Sequence, residues 1–199
     1  MKEAKNKIQI SVYQKAKTGN DCSGDSFFYK ETEDEFICVI ADGLGSGQPA
    51  KESSQAVVTT LEKHFNKTID SIIKNCNDNL YNKRGAVLGI LKMDLLNGTY
   101  KITSIGNIGI IMLHQNGEKK RYIPTAGYLC GTPARYKVFE GRLEPGQTFF
   151  MYSDGVEEKF LLKNCIQLSQ CEEVTKHYSE INVEGKNDDT TLIAMKYVH

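Results

Sequence analysis

Acidic residues stand at four strand-like boundaries of this chain, and two of those boundaries share one pattern. The apolar run Phe36-Ile37-Cys38-Val39-Ile40 leads into Ala41-Asp42-Gly43, and Thr148-Phe149-Phe150-Met151-Tyr152 leads into Ser153-Asp154-Gly155. Asp188-Asp189 stands immediately before the stretch Thr190–Val198, and Asp25, in Gly24-Asp25-Ser26-Phe27-Phe28, stands before another strand-like run. Two acids at strand ends and two at strand starts share one edge when neighbouring strands run antiparallel. Carboxylates gathered there repel and raise each other's pKa unless a cation neutralises them. Oxygen-only ligands select hard divalent ions such as Mg²⁺ or Mn²⁺ over zinc. A glycine after the aspartate lets a backbone carbonyl approach the metal without a side chain in the way. Each acid alone is also what an ordinary solvated turn carries. The recurrence points to a metal site.

The stretch Ala41-Asp42-Gly43-Leu44-Gly45-Ser46-Gly47 admits a second chemistry, because glycine-rich turns before helices cradle phosphate. The dinucleotide fingerprint fails, since its third glycine would fall at Gln48. The P-loop fails too, because no Gly-Lys-Ser/Thr closes the turn. No cysteine has an arginine six residues on, so a cysteine-based phosphatase loop is excluded. The six cysteines (22, 38, 76, 130, 165, 171) form no CxxC pair, and no histidine stands at zinc-ligand spacing. They read as small buried hydrophobes or incidental thiols of a reducing compartment. The histidines at 64, 114, 177 and 199 are scattered and are assigned no role.

The elements that must position these acids follow from periodicity. Ile8–Tyr13, Ser26–Lys30 and Phe36–Ala41 read as strands. From Ser53 the apolar spacing becomes helical, through Val57, Val58, Leu61 and Phe65, and again through Ile69, Ile72, Ile73, Cys76 and Leu80. Ala86–Met93, Thr99–Ile105, Ile108–His114 and Lys119–Ile123 are strands, with Asn97-Gly98 and Asn116-Gly117 as two-residue hairpin turns. Pro124–Arg142 is irregular. Thr148–Tyr152 is a strand, Gly155–Leu162 and Ile166–Tyr178 are helical, and Thr190–Val198 is the last strand. Helices in two blocks with hairpin-joined strands predict an α+β fold: two antiparallel sheets face to face, with a helix pair on each outer side.

With 199 residues, 40% of them hydrophobic, residues 1–199 are expected to form one domain. The 25 basic and 25 acidic residues balance, so nucleic acid is not an expected partner. No apolar run is long enough for a membrane span, and the lysine-rich start Met1–Lys7 leads into no signal-peptide core. A cytoplasmic monomer without membrane contact is the expectation.

Taken in order, "GDSFF", "ADGLGSG", "NKRGA" (Asn82–Ala86), "SIGNIG" (Ser104–Gly109), "GYL-G" (Gly127–Gly131), "YSDG" and "DDTT" resemble the metal-dependent protein phosphatases, the protein phosphatase 2C superfamily. The similarity is greatest to the short bacterial branch that includes the sporulation phosphatase SpoIIE and phosphatases of the general stress sigma-factor pathway. It implies a four-layer αββα sandwich and a centre of two Mn²⁺ or Mg²⁺ ions. By resemblance Asp42 bridges both ions, the Gly43 carbonyl binds one, and Asp154 and Asp188 complete the other, so Asp42, Asp154 and Asp188 carry catalysis. Asp25 helps to fix metal-held water, while Asp189 and Asn107 stand behind the ligands.

The implied reaction is attack of metal-activated water on phosphoserine or phosphothreonine. The implied partners are phosphorylated scaffold or antagonist proteins of a stress-signalling complex, and the implied role is negative feedback on sigma-factor activation. A catalytically idle domain binding the same partner is the alternative. Three departures matter. The first arginine is Arg84, where larger members have an N-terminal arginine that grips phosphate. Leu44 replaces a common histidine, and Asn107 replaces an aspartate. Pro124–Pro133 is short, so a reduced flap and specificity through docking to a folded protein are expected.

Overall fold

In the computed structural model of the chain, residues 6–19, 22–165, 170–181 and 188–198 are described. Most of Met1–Lys7, the expected helix start at Ile166, and His199 lie outside the described residues. The order is β1 (Ile8–Lys15), β2 (Asp25–Glu31), β3 (Glu35–Gly43), α1 (Gln48–His64), α2 (Ile69–Asn79), β4 (Ala86–Asp94) and β5 (Thr99–Ile105). There follow β6 (Gly109–Leu113), β7 (Lys119–Tyr122), β8 (Phe139–Arg142) and β9 (Thr148–Tyr152). A short α3 (Glu158–Phe160) runs into a π-helical turn at Leu161–Cys165, before α4 (Cys171–Ile181) and β10 (Thr190–Tyr197).

Two five-stranded sheets form, ordered β1-β10-β9-β6-β7 and β2-β3-β4-β5-β8, with every named pairing antiparallel. Their residues divide by strand parity, because successive side chains point to opposite faces. On β3, Phe36, Cys38 and Ile40 enter the core between the sheets, while Ile37, Val39 and Ala41 pack under α1 and α2. On β10, Ile193 and Met195 face inward and Leu192 and Ala194 face α4. This is the expected αββα sandwich, and it explains why its central strands read as unbroken apolar runs.

Four local readings need correction. Helix α1 begins at Gln48, five residues before Ser53; its first turn carries Pro49, which suits that position, and offers the apolar pattern only Ala50. The β4–β5 connection pairs Asp94 with Thr99, so its loop has four residues, Leu95–Gly98, with Gly98 left-handed at φ 62°. The Asp94 carboxylate organises that loop by accepting from the backbone N–H groups of Leu96 and Asn97. In the β6–β7 connection His114 N–H donates to Glu118 O, leaving the three residues Gln115–Gly117, a length that favours a left-handed glycine at its end. The segment Pro124–Arg142 contains β8, a four-residue edge strand, Phe-Glu-Gly-Arg, too short to display a period in sequence.

Candidate metal centre

Parity also aims the acids. Asp42 shares the face of Phe36, Cys38 and Ile40, and Asp25 that of Phe27, so both point between the sheets at one end of the inner core. The register sets Asp25 directly opposite Asp42. Cross-strand partners have Cβ atoms about 5 Å apart, and like charges so placed are destabilising. From the other sheet, Ser153 has the parity of Phe149 and Met151, and Thr191 that of Ile193.

Those two hydroxyls close the gap between the sheets. Asp25 is buried, and its Oδ2 accepts from Ser153 Oγ and from Thr191 Oγ1, each at 2.7 Å. Ser153 Oγ also accepts from Thr191 N–H at 2.9 Å, and Gln14 Nε2 donates to Thr191 Oγ1 at 3.1 Å. The other oxygen, Asp25 Oδ1, is buried with no hydrogen-bond partner. A buried polar atom left without a partner costs free energy. Burial, then the Asp189 and Asp154 charges, raise the Asp25 pKa to about 6 against the pull of the two hydroxyls.

Asp42 is half-buried. Burial first, then the carboxylates of Asp25, Asp154, Asp188 and Asp189, push its pKa up to about 8. Asp154 and Asp188 are exposed. Crowding by protein atoms, then the Asp188 charge, raises the Asp154 pKa, while Asn107 Nδ2 donates to its Oδ2 at 2.7 Å. Asp189 is buried and spends both oxygens on backbone, accepting from Lys17 N–H and Gly24 N–H at 2.8 Å each. It thereby ties the start of β2, and so Asp25, to the start of β10. Gly43 is needed for space: a Cβ there would collide with the Ala50 carbonyl of α1. Gly155 is confined in the same way by the Asp189 carbonyl. Leu44, which packs on the inner core, offers no proton.

Every predicted acid therefore reaches one rim, and the five couple electrostatically. Among the described residues, however, no three carboxylate, imidazole or thiol groups already close around a point fit for a metal ion. The chemistry of the set still fits a hard cation: oxygen donors only, carboxyls whose pKa values burial and then like charges push up, to about 6 at Asp25 and about 8 at Asp42, and an orphaned buried oxygen. Ser153 and Thr191 lay in quoted motifs, but their role was not foreseen. Nor was that of Lys51, whose ammonium donates to the Asp25 carbonyl at 2.9 Å and to Ser26 Oγ at 3.1 Å. Among the described residues no helix is long and apolar enough to cross a membrane.

Comparison with known proteins agrees with this fold. The family described as Stage II sporulation protein E (SpoIIE) matches residues 32–198. Phosphoserine phosphatase RsbX of Bacillus subtilis (strain 168) is 36% identical over 186 residues, 94% of each chain. The crystal structure of RsbX in complex with magnesium superposes with a TM-score of 0.88 at 35% identity, covering 95% of this chain and 94% of that one. A protein described with the bacterial stressosome, as a modular system adapted to control secondary messenger signalling, gives 0.83 at 26% identity over 96% and 100%. The catalytic domain of the serine/threonine phosphatase PstP with two manganese ions gives 0.75 at 13% identity over 96% and 99%, a likeness of fold alone.

Proposed function

The chain belongs to the SpoIIE family, and from that premise we propose that it is a metal-dependent phosphatase of phosphoserine and phosphothreonine in stress-signalling proteins. The single observation that carries the reading is the facing pair Asp25–Asp42, one carboxyl with an orphaned buried oxygen and the other crowded by burial and by the neighbouring carboxylates. Asp42, Asp154, Asp188, the Gly43 carbonyl and Asp25 would hold two Mn²⁺ or Mg²⁺ ions. The magnesium of the RsbX structure supports the class of metal. When bound, such ions supply an activated water and offset charge on the phosphoryl oxygens.

The chain's own residues do the positioning. Ser153 and Thr191 fix the Asp25 carboxyl, Asp189 anchors the backbone beside it, and Asn107 orients Asp154. No protein nucleophile is required. The stressosome likeness and the RsbX relationship support phosphorylated scaffold or antagonist proteins as substrates, and a damping role in sigma-factor activation. The same reading takes residues 1–199 as one cytoplasmic, monomeric catalytic unit.

A second reading has one observation in its favour: no three acids among the described residues already close as a ligand set, as in an idle domain that only binds the phosphoprotein. One experiment separates them. Hydrolysis of p-nitrophenyl phosphate and of a phosphorylated scaffold protein is measured with Mn²⁺, with chelator, and in Asp42→Ala. Turnover that needs the metal and vanishes in the variant supports the enzyme; equal rates in wild type and variant discard it.

A further inference from the structure

We propose that strand β7, with the groove at its end, docks an acidic extended segment of the protein substrate as an added strand. The inference rests on the phosphatase reading above and adds to it a recognition surface outside the acid rim. Among the described residues β7 closes one end of its sheet, with β6 on one side and no strand on the other. In the hairpin His114 N–H donates to Glu118 O, and the register then pairs Met112 with Lys120 and Ile110 with Tyr122. Antiparallel pairs alternate between those that exchange backbone hydrogen bonds and those that do not. Lys120 and Tyr122 therefore turn their backbone groups to β6, whereas Lys119 and Arg121 turn theirs outward. An open edge of this kind is a template for a further strand.

A groove of about 480 Å³ opens between the end of β7 and the start of β8, lined by Arg121, Ile123, Pro124, Ala126, Lys137 and Phe139. No carboxylate lines it. Lys119, Lys120, Arg121 and Lys137 are all exposed, in a chain whose formal charges sum to zero. Glu158 and Glu140, on the flanking α3 and β8, are already paired with Arg121 and Lys101, at 2.8 Å each. Ile123 is 73% exposed, more than any other large apolar side chain among the described residues. Lysines on an edge commonly keep neutral strands from adding, but an exposed isoleucine in the same run does the reverse. Together they exclude neutral and basic strands and admit an acidic one that carries an apolar side chain.

The groove also leads towards the acids. Thr125, on its wall, accepts from Gly106 N–H and donates its own N–H to Ser104 O, each at 2.8 Å. The residue after Gly106 is Asn107, which holds Asp154. One wall of the groove is thus tied through a single turn to an expected metal ligand.

Fluorescence anisotropy with the full chain and a labelled peptide of alternating glutamate and valine tests docking independently of turnover. The peptide is expected to bind more tightly than its lysine–valine counterpart, and less tightly as salt is added. Lys119→Glu combined with Lys137→Glu should weaken binding by roughly tenfold or more, through repulsion where there was attraction. Ile123→Ser leaves every charge in place and should also weaken it; this variant serves if the charge reversal fails to fold. Lys63→Glu combined with Lys74→Glu, exposed on α1 and α2, makes the same change in net charge and should leave binding unaltered. Hydrogen exchange should show new protection at the Lys119 and Arg121 N–H groups when the peptide is bound. An equal loss in the α1–α2 pair, unchanged affinity in both groove variants, tighter binding of a short single-stranded DNA, or binding without that protection overturns the proposal. A phosphoserine peptide carrying the acidic tract should show a lower KM than one without it, and the advantage should vanish in the Lys119–Lys137 variant. Hydrolysis of both peptides with equal KM would sink the docking edge and leave the enzyme. Docking without hydrolysis of either would sink the enzymatic reading and leave the edge standing.

Discussion

The acid rim has two halves built on different physical terms. At Asp25 and Asp189 the carboxyls are 1% and 7% exposed, and the fold has wired them in. Hydroxyls from β10 and from the end of β9 fix Asp25, and Asp189 holds two backbone N–H groups. At Asp154 and Asp188 the carboxyls are exposed and locally held, one by the Asn107 side chain and the other by the adjacent Asp189 N–H at 3.0 Å. The first half carries its geometry into the apo protein. The second adjusts, which accounts for the absence of a closed ligand trio among the described residues. On the proposed reading a cation would be the last structural element of the rim, and the order already present is concentrated on the buried side.

The sharpest way to break that contrast is Ser153→Ala. Ser153 is fully buried and joins Asp25 to the Thr191 N–H, so its loss strands a buried donor and half-releases the carboxyl. Leaving a buried group unsatisfied costs about 1–3 kcal/mol. For a chain of this size each kcal/mol moves Tm by roughly 2–4 °C. A thermal melt of the apo protein should therefore show a clear drop. Mn²⁺ affinity should fall by about 10–100-fold, the usual cost of removing a group that orients a metal ligand. A variant with unaltered Tm would mean that the buried half is no better organised than the exposed one.

Asn107→Ala probes the other half. Asn107 is exposed and touches the rim through a single 2.7 Å bond to Asp154 Oδ2. Exposed substitutions of this kind leave stability within about 0.5 kcal/mol. The expected signature is an unchanged apo melt with Mn²⁺ affinity weakened towards the low end of the same 10–100-fold range. A variant that loses stability as Ser153→Ala does would erase the distinction between the halves.

How much of this was legible from residues alone divides along similar lines. The layers were, because the parity of β3 and the helical spacing of α1 and α2 are local patterns. The five aspartates were, because each stands at a boundary between an apolar run and a turn. What could not be read is whatever depends on distant partners. Ser153 and Thr191 reach Asp25 across 128 and 166 residues, and no local period marks that pairing. Arg84 reads in sequence only as the first arginine, whereas the pairing of Gly43 with Ala86 brings its turn against the glycine loop at Gly45. Strand β8 was missed because four residues, with Phe139 as their one large apolar side chain, are too few to display a period. The hairpin loops were misjudged because Asn-Gly marks a turn without fixing its length: Asp94 and Asn116 use their side chains to support longer ones.

A slope with pH tests whether the facing pair Asp25–Asp42 is held under electrostatic stress. Burial and like charges raise the folded-state pKa of Asp25 to about 6 and of Asp42 to about 8, from ordinary unfolded values near 3.8. Between those values the folded chain binds more protons than the unfolded one, so these two groups make stability fall as pH rises from about 4 towards 8. Metal reverses the sign, because it binds the ionised carboxylates and competes with the protons. The difference in Tm between Mn²⁺-loaded and apo protein should therefore widen steadily from pH 5 to pH 8. In Asp25→Asn the apo slope should flatten chiefly below pH 6, leaving the part due to Asp42. A metal-induced shift that is constant across this range would show that the facing pair is already ionised without the cation and holds no such stress.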